Sequence, residues 1–203
     1  MSAESPVAKN PSRCRVLIFS KDTCYRTEAD DLNALASLTS DNIHLYKPRA
    51  SFNDVRQLLE QLPDDTLSKI VLHHHRELAK SYGVKGIHRR YREIDTDIQS
   101  QTIISSSLKS LNDSPPTNTD YCFFSPVFSS LSKQNHHPKY TIDQINAWAK
   151  TQTQPMIALG GVDLDNIHLL HGFSGAAFKG AIWNTPNPRQ KVSELLKGVW
   201  HES

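Results

Sequence analysis

Two rhythms of apolar and polar positions run along the chain: short unbroken apolar runs, and longer stretches with a helical repeat. "CRVLIFS" (14–20), "NIHLYKP" (42–48), "KIVLHH" (69–74) and "KGIHR" (85–89) have strand length. "TIISSSL" (102–108), "YCFFSPVF" (121–128), "PMIALGG" (155–161) and "GAAFKGAIW" (175–183) extend the series to eight. Between them, "TEADDLNALASL" (27–38), "FNDVRQLLEQL" behind a capping Ser51, and "TIDQINAWAKTQ" (141–152) space apolar residues three and four apart. "RELAKSY" predicts a two-turn helix closed by Gly83, "DLDNIHLLHGF" a helix after the seventh strand, and "PRQKVSELLKGVW" a final helix. The segment between the fourth and fifth strands carries only a weak helical pattern.

Strand alternating with helix implies a parallel sheet with right-handed crossovers. Eight such units predict an α/β fold, a closed (β/α)₈ TIM barrel, as a single domain. A doubly wound open sheet is the alternative, weakened because neither a Rossmann glycine fingerprint nor a P-loop is present. The barrel is expected over 14–203, behind a polar tail at 1–13 that lacks the apolar core of a signal peptide.

Composition narrows the class. In 203 residues, 37% hydrophobic and 22% charged residues fit a globular protein with a substantial core. A net charge of +2 gives no reason to expect nucleic acid, and no apolar run approaches a membrane span. The cysteines, Cys14, Cys24 and Cys122, are odd in number and form no CxxC pair, which points to a reducing, cytoplasmic setting. The sequence leaves room for a homo-oligomer without indicating one.

The chemistry concentrates where strands end. Gly160 and Gly161 close the seventh strand, and Lys179 and Gly180 fall within the glycine-bearing run of the eighth. In barrels of this kind the loops after these strands commonly hold a phosphate, because bare backbone lets N–H groups approach a dianion. Asn187 and Pro188 suit the cap and first turn of the last helix. The alternative is that Gly160 and Gly161 only make a tight turn and Gly180 only packs.

Ten histidines are unusual for this length. Alternation points His44, His73 and His88 at the barrel interior or its mouth, where they would face a substrate. They suit a hydrogen-bonded polar layer, acid–base work near neutral pH, or a transition metal such as Zn²⁺. "RRYRE" (89–93) sets Arg89, Arg90 and Arg92 beside a strand end, ready to pair phosphate oxygens or to stay solvated. "NHHPK" (135–139), with Lys133, belongs to a long loop placed like a lid.

"DYCFFSPVFSSLSK", then "IALGGVD", then "GFSGAAFKGAIW" together resemble the thiamine phosphate synthase/TenI family. "KGIHRR" is similar to that family's Asp-Gly-Val-His-Leu strand, and "IHLYKP" to its Gln-apolar-Arg-Glu-Lys strand. The resemblance runs from about Val16 to Trp183. It implies a (β/α)₈ barrel and small-molecule phosphate substrates. The synthases condense hydroxymethylpyrimidine diphosphate with thiazole phosphate and release pyrophosphate with the help of Mg²⁺; TenI proteins aromatise a thiazole phosphate tautomer.

Carried over on the resemblance, Gly161 falls on the glycine that contacts the thiazole phosphate and Gly180 on a serine position after the eighth strand. Lys133 matches the lysine facing pyrophosphate, and Ser107 the serine of a Ser-x-His stretch whose histidine is here Lys109. Lys133, Ser107 and Arg90 are thus the expected catalytic set. The metal end departs: His74 stands at the Mg²⁺-binding aspartate, Glu93 at the second metal acid, and Tyr46 at the arginine of the second strand. One carboxylate and one imidazole make a poor Mg²⁺ site. The TenI acid–base histidine falls on Pro126, which transfers no proton. The expectation is a synthase-like enzyme, with a TenI-like tautomerase or a non-catalytic phosphate-binding barrel as alternatives.

Overall fold

The structure, a computed structural model, describes residues 14–91, 103–129 and 138–200, with Trp200 described by its backbone alone. Eight strands lie in chain order: β1 (Arg15–Phe19), β2 (Ile43–Leu45), β3 (Ile70–Leu72), β4 (Gly86–Arg89), β5 (Ile103–Leu108), β6 (Tyr121–Phe124), β7 (Met156–Leu159) and β8 (Gly175–Phe178). Each pairs in parallel with the next, and β8 returns to β1, so the sheet closes as a barrel. The expected (β/α)₈ architecture is the observed one.

Alternation along the strands divides the core in two. Outward residues such as Val16, Ile18, Ile43, Leu45, Ile70, Leu72, Cys122 and Phe124 join the apolar faces of the helices in one large cluster. Inward residues Leu17, Phe19, Tyr121, Phe123, Ile157 and Ala177 form a smaller one inside the barrel. A parallel barrel strand is covered on both faces, which is why these runs are continuously apolar.

The helices are α1 (Glu28–Leu38), α2 (Phe52–Glu60), α3 (Asp64–Leu67), α4 (Ala79–Tyr82), α5 (Ile142–Lys150), α6 (Gly180–Trp183) and α7 (Pro188–Trp200). Ser51 caps α2 and Thr141 caps α5, each in a reciprocal capping box with the third helical residue. Asn187 Oδ1 accepts from the Gln190 amide at 3.1 Å, and Pro188 opens α7. Gly83 ends α4 at φ 60°. Among the described residues no helix is long and apolar enough to cross a membrane.

Three expectations change. The run 175–183 is not one strand: β8 ends at Phe178, and Gly180–Trp183 turns into α6, burying Ile182 while Trp183 Nε1 donates to Phe19 O at 2.6 Å. A short apolar run has no periodicity to distinguish these outcomes. "DLDNIHLLHGF" yields only a 3-10 turn at Ile167–Leu169, because Asp163 and Asn166 side chains bond the local backbone. "RELAKSY" divides into a 3-10 turn, Arg76–Leu78, and the single turn α4.

Candidate active site

The inward positions at the C-terminal ends of the strands converge on one mouth. His44 and Tyr46 come from β2 and its end, His73 and His74 from just past β3, His88 from β4, Ser105 and Ser107 from β5, and Lys179 from just past β8. Register sets the layers, since Phe19 pairs with His44 and His88 with Ser105.

Below the mouth lies a hydrogen-bonded layer. Asn42 Nδ2 donates to the Tyr121 hydroxyl at 3.1 Å; that hydroxyl lies 2.8 Å from His44 Nε2; His44 Nδ1 lies 2.9 Å from His73 Nε2. Each contact needs one donor and one acceptor, so proton positions along the chain are correlated. His88 bonds Ser105 Oγ at 2.9 Å and Ser107 Oγ at 3.1 Å. Phe19 stacks on His44 at 4.9 Å and Phe123 meets the same ring edge-on at 4.8 Å. Burial holds the His44 and His73 imidazoles well below their usual range, helped by each other's neighbours His88, Arg15 and Lys179. Burial pushes the Tyr121 hydroxyl up to about 12.

His44, His73 and His88 each bring a ring nitrogen within 4.8 Å of the others, the spacing of a candidate metal cluster. Their orientation opposes that use. His73 and His88 stack with centroids 4.0 Å apart and planes 16° from parallel. In-plane lone pairs of stacked rings do not meet at a point about 2.0–2.1 Å from both nitrogens. The arrangement is that of a polar barrel layer. His44 is fully buried within it, whereas His73 and His88 are nearer the surface.

Above this layer the rim is charged. The Lys179 ammonium is paired with Asp22 of the loop after β1 and lies 4.6 Å from the centroid of the Tyr46 ring. Tyr46 also meets His73 and His74 edge-on. Beneath the same loop, the buried Lys47 ammonium bonds Glu28 and donates to Lys21 O at 2.8 Å and Thr23 O at 2.9 Å. Lys47 thereby fixes the loop that carries Asp22. None of Asp22, Glu28, Tyr121 and Asn42 was singled out from sequence. The inward polar positions before β2 and on β6 carried a signal for Asn42 and Tyr121, whereas nothing local announces a pair 157 residues apart.

The turns after β7 and β8 are neighbours, because Leu159 pairs with Ala177. Gly160 and Gly161 both have positive φ, 94° and 69°. A Cβ on Gly161 would lie 2.7 Å from Ser129 O and 2.8 Å from the Phe128 carbonyl carbon. Among the described residues, no hydrogen bond uses the amide hydrogens of Gly161, Val162, Gly180 or Ala181. Gly161→Ala therefore combines a left-handed backbone with a steric overlap, and is expected to cost about 1–3 kcal/mol. Chemical denaturation checks this; an unchanged midpoint would mean that the turn tolerates a side chain.

Of the other expected site residues, Ser107 stands at the mouth in its bond to His88, and Arg90 follows β4 as an exposed residue. Lys133, Glu93 and Arg92 lie outside the described residues. Mg²⁺ prefers about six oxygen ligands. At this mouth His74 offers an imidazole, its Nδ1 buried and without a hydrogen-bond partner among the described residues, and Asp22 is already paired with an ammonium. The described residues do not fit Mg²⁺.

A family model described as thiamine monophosphate synthase matches residues 46–182. A thiamine-phosphate synthase of Prochlorococcus marinus subsp. pastoris is 26% identical over 166 residues, 74% of this chain and 47% of that protein, so this chain spans about half of that relative. The thiamine-phosphate synthase of Caldicellulosiruptor bescii is 20% identical, with 90% of this chain and 94% of that one covered. Among solved structures, thiamine phosphate pyrophosphorylase from Bacteroides thetaiotaomicron superposes with a TM-score of 0.72 at 25% identity, covering 92% of this chain and 95% of the other. The Pyrococcus furiosus protein of the same name gives 0.75 at 16%, covering 93% and 96%, a likeness of fold. With a match across two-thirds of its length, the chain belongs to the thiamine monophosphate synthase/TenI family.

Proposed function

We propose that this protein acts in thiamine biosynthesis as a synthase-type transferase, joining a pyrimidinylmethyl diphosphate to a thiazole phosphate. The carbon–oxygen bond to the diphosphate breaks and its electron pair leaves with pyrophosphate. The thiazole nitrogen lone pair forms the new carbon–nitrogen bond, and the positive charge stays on the thiazolium. No proton acceptor is needed at that nitrogen. The catalytic demand falls on binding two anions and placing the reacting atoms in line.

The observation that carries this reading is the pair of adjacent turns at Gly160–Gly161 and Gly180, where the amide hydrogens of Gly161 and Gly180 have no partner among the described residues, in a chain of this family. These turns would hold the thiazole phosphate. Lys133 and Arg90 would face the diphosphate. Ser107, bonded to His88, would offer its hydroxyl beside the reacting carbon. The Tyr46 ring, with His73 set edge-on against it, would line the space that receives the flat pyrimidine.

Purified protein given both substrates, with and without Mg²⁺, is expected to form thiamine phosphate and pyrophosphate. Lys133→Ala should reduce turnover far more than it weakens thiazole phosphate binding; an equal loss in both would remove Lys133 from its assigned role. A binding-only barrel is the second reading, favoured by the poor fit of the mouth to Mg²⁺. Stabilisation by thiazole phosphate with no product under any condition would select it.

A further inference from the structure

We propose that Lys179 is the fixed cation that receives a diphosphate at this mouth, so that the protein binds diphosphate without a divalent metal. The proposal deepens the transferase reading and rests on it for the identity of the substrate.

Lys179 leaves the chain at the end of β8, beside the glycine turn expected to hold a single phosphate. Its ammonium does not stay there. It reaches across the end of β1 to the face of Tyr46, past the end of β2, and to Asp22 in the loop after β1. The charge therefore sits at the ends of β1 and β2, two and three strands along the rim from the turn at Gly161, where a second anion would enter. Lys179 and Asp22 are each one-third exposed, open enough for a ligand to reach. The neighbouring Lys21 is held elsewhere, over the rings of Tyr25 and Trp183 at 4.5 and 5.2 Å.

The Lys179 ammonium stands over Tyr46, whose ring meets His73 and His74 edge-on, and none of the three carries a negative charge. Asp22 is its sole carboxylate partner among the described residues. A divalent cation at this point would lose that carboxylate to the lysine and meet an ammonium of like sign. A diphosphate gains instead: it carries more charge than one carboxylate and offers several oxygens to the ammonium. Asp22 acts as a placeholder that keeps the ammonium extended until the anion displaces it, and Lys47 holds the loop in position for that role.

The test is calorimetric titration of the full chain with inorganic pyrophosphate. Binding is expected in EDTA, with no strengthening on adding Mg²⁺. Lys179→Met should weaken it about tenfold or more, and Lys179→Arg, which keeps the charge, should retain most of it. The unfolding midpoints of both variants establish that they are folded. Binding that appears only with Mg²⁺, no binding in either buffer, or binding indifferent to Lys179→Met would each overturn the proposal. The transferase reading fails separately, on the absence of thiamine phosphate from the two-substrate assay in every metal condition.

Discussion

Replacing Lys47 by Met is expected to lower the unfolding free energy by about 3–5 kcal/mol, the usual cost of removing one partner of a buried ion pair. Lys47 and Glu28 are each 1% exposed, so neither charge has water to fall back on. Lys47 also satisfies two backbone carbonyls, Lys21 O and Thr23 O, and these lose their donor in the variant. Glu28 is the strained member. Its Oε2 has no hydrogen-bond partner among the described residues, and burial already pushes its carboxyl above the usual range, against the opposing pull of Lys47. Without the lysine, that carboxyl must either stay charged in an apolar setting or take up a proton. The double variant Lys47→Met/Glu28→Gln should recover a large part of the loss, since a neutral pair removes the uncompensated charge. Urea denaturation of the two single variants and the double gives the coupling directly. A loss below about 1 kcal/mol in Lys47→Met would mean that the pair is effectively solvated.

The barrel was legible in the sequence because its strands are buried on both faces and its helices on one, and these two patterns are local. Ser51, Gly83 and Asn187 marked helix ends correctly for the same reason: caps act within one turn. Where local signal is absent, expectation and structure part. "GAAFKGAIW" splits at Lys179 because Ile182 and Trp183 find partners on a helix and at β1, information that lies outside the run. The site shows the same division. His44, His73 and His88 converge as alternation predicts, yet the stacking that sets His73 against His88 depends on ring rotamers, which spacing does not encode. Lys179 was placed with the phosphate turn by its neighbours in sequence, but a long flexible side chain delivers its charge elsewhere. Asp22, which receives it, sits in a loop with no motif.

Mild acid should unfold this protein more readily than its overall charge suggests. His44 and His73 are neutral in the folded state because burial opposes their charging, and the groups around them add to that opposition. His44 faces His88 and Arg15, and touches His73 and Tyr121; His73 faces His88, His44, His74 and Lys179. An unfolded imidazole takes a proton near pH 6.5. Above that value both states bind the same number of protons at these sites, and the stabilisation is fully present. Below it the unfolded chain binds up to two more, so stability falls by about 1.4 kcal/mol per pH unit for each histidine, about 2.7 for both. The loss continues until the depressed folded values are reached. His74, also lowered by burial, adds a smaller contribution of the same sign. Glu28 works in the opposite sense above its unfolded value, because its carboxyl is raised when folded, so the Lys47→Met/Glu28→Gln background, which leaves no unpaired buried charge, isolates the imidazoles. Urea unfolding at about pH 7.5, 6.5 and 5.5 should show a shallow first interval and a second about threefold steeper, with the slope roughly halved in His73→Gln. Equal stability at all three values would show that these rings accept protons inside the fold, and the mouth would then be a wet, cationic anion site rather than a neutral, hydrogen-bonded floor.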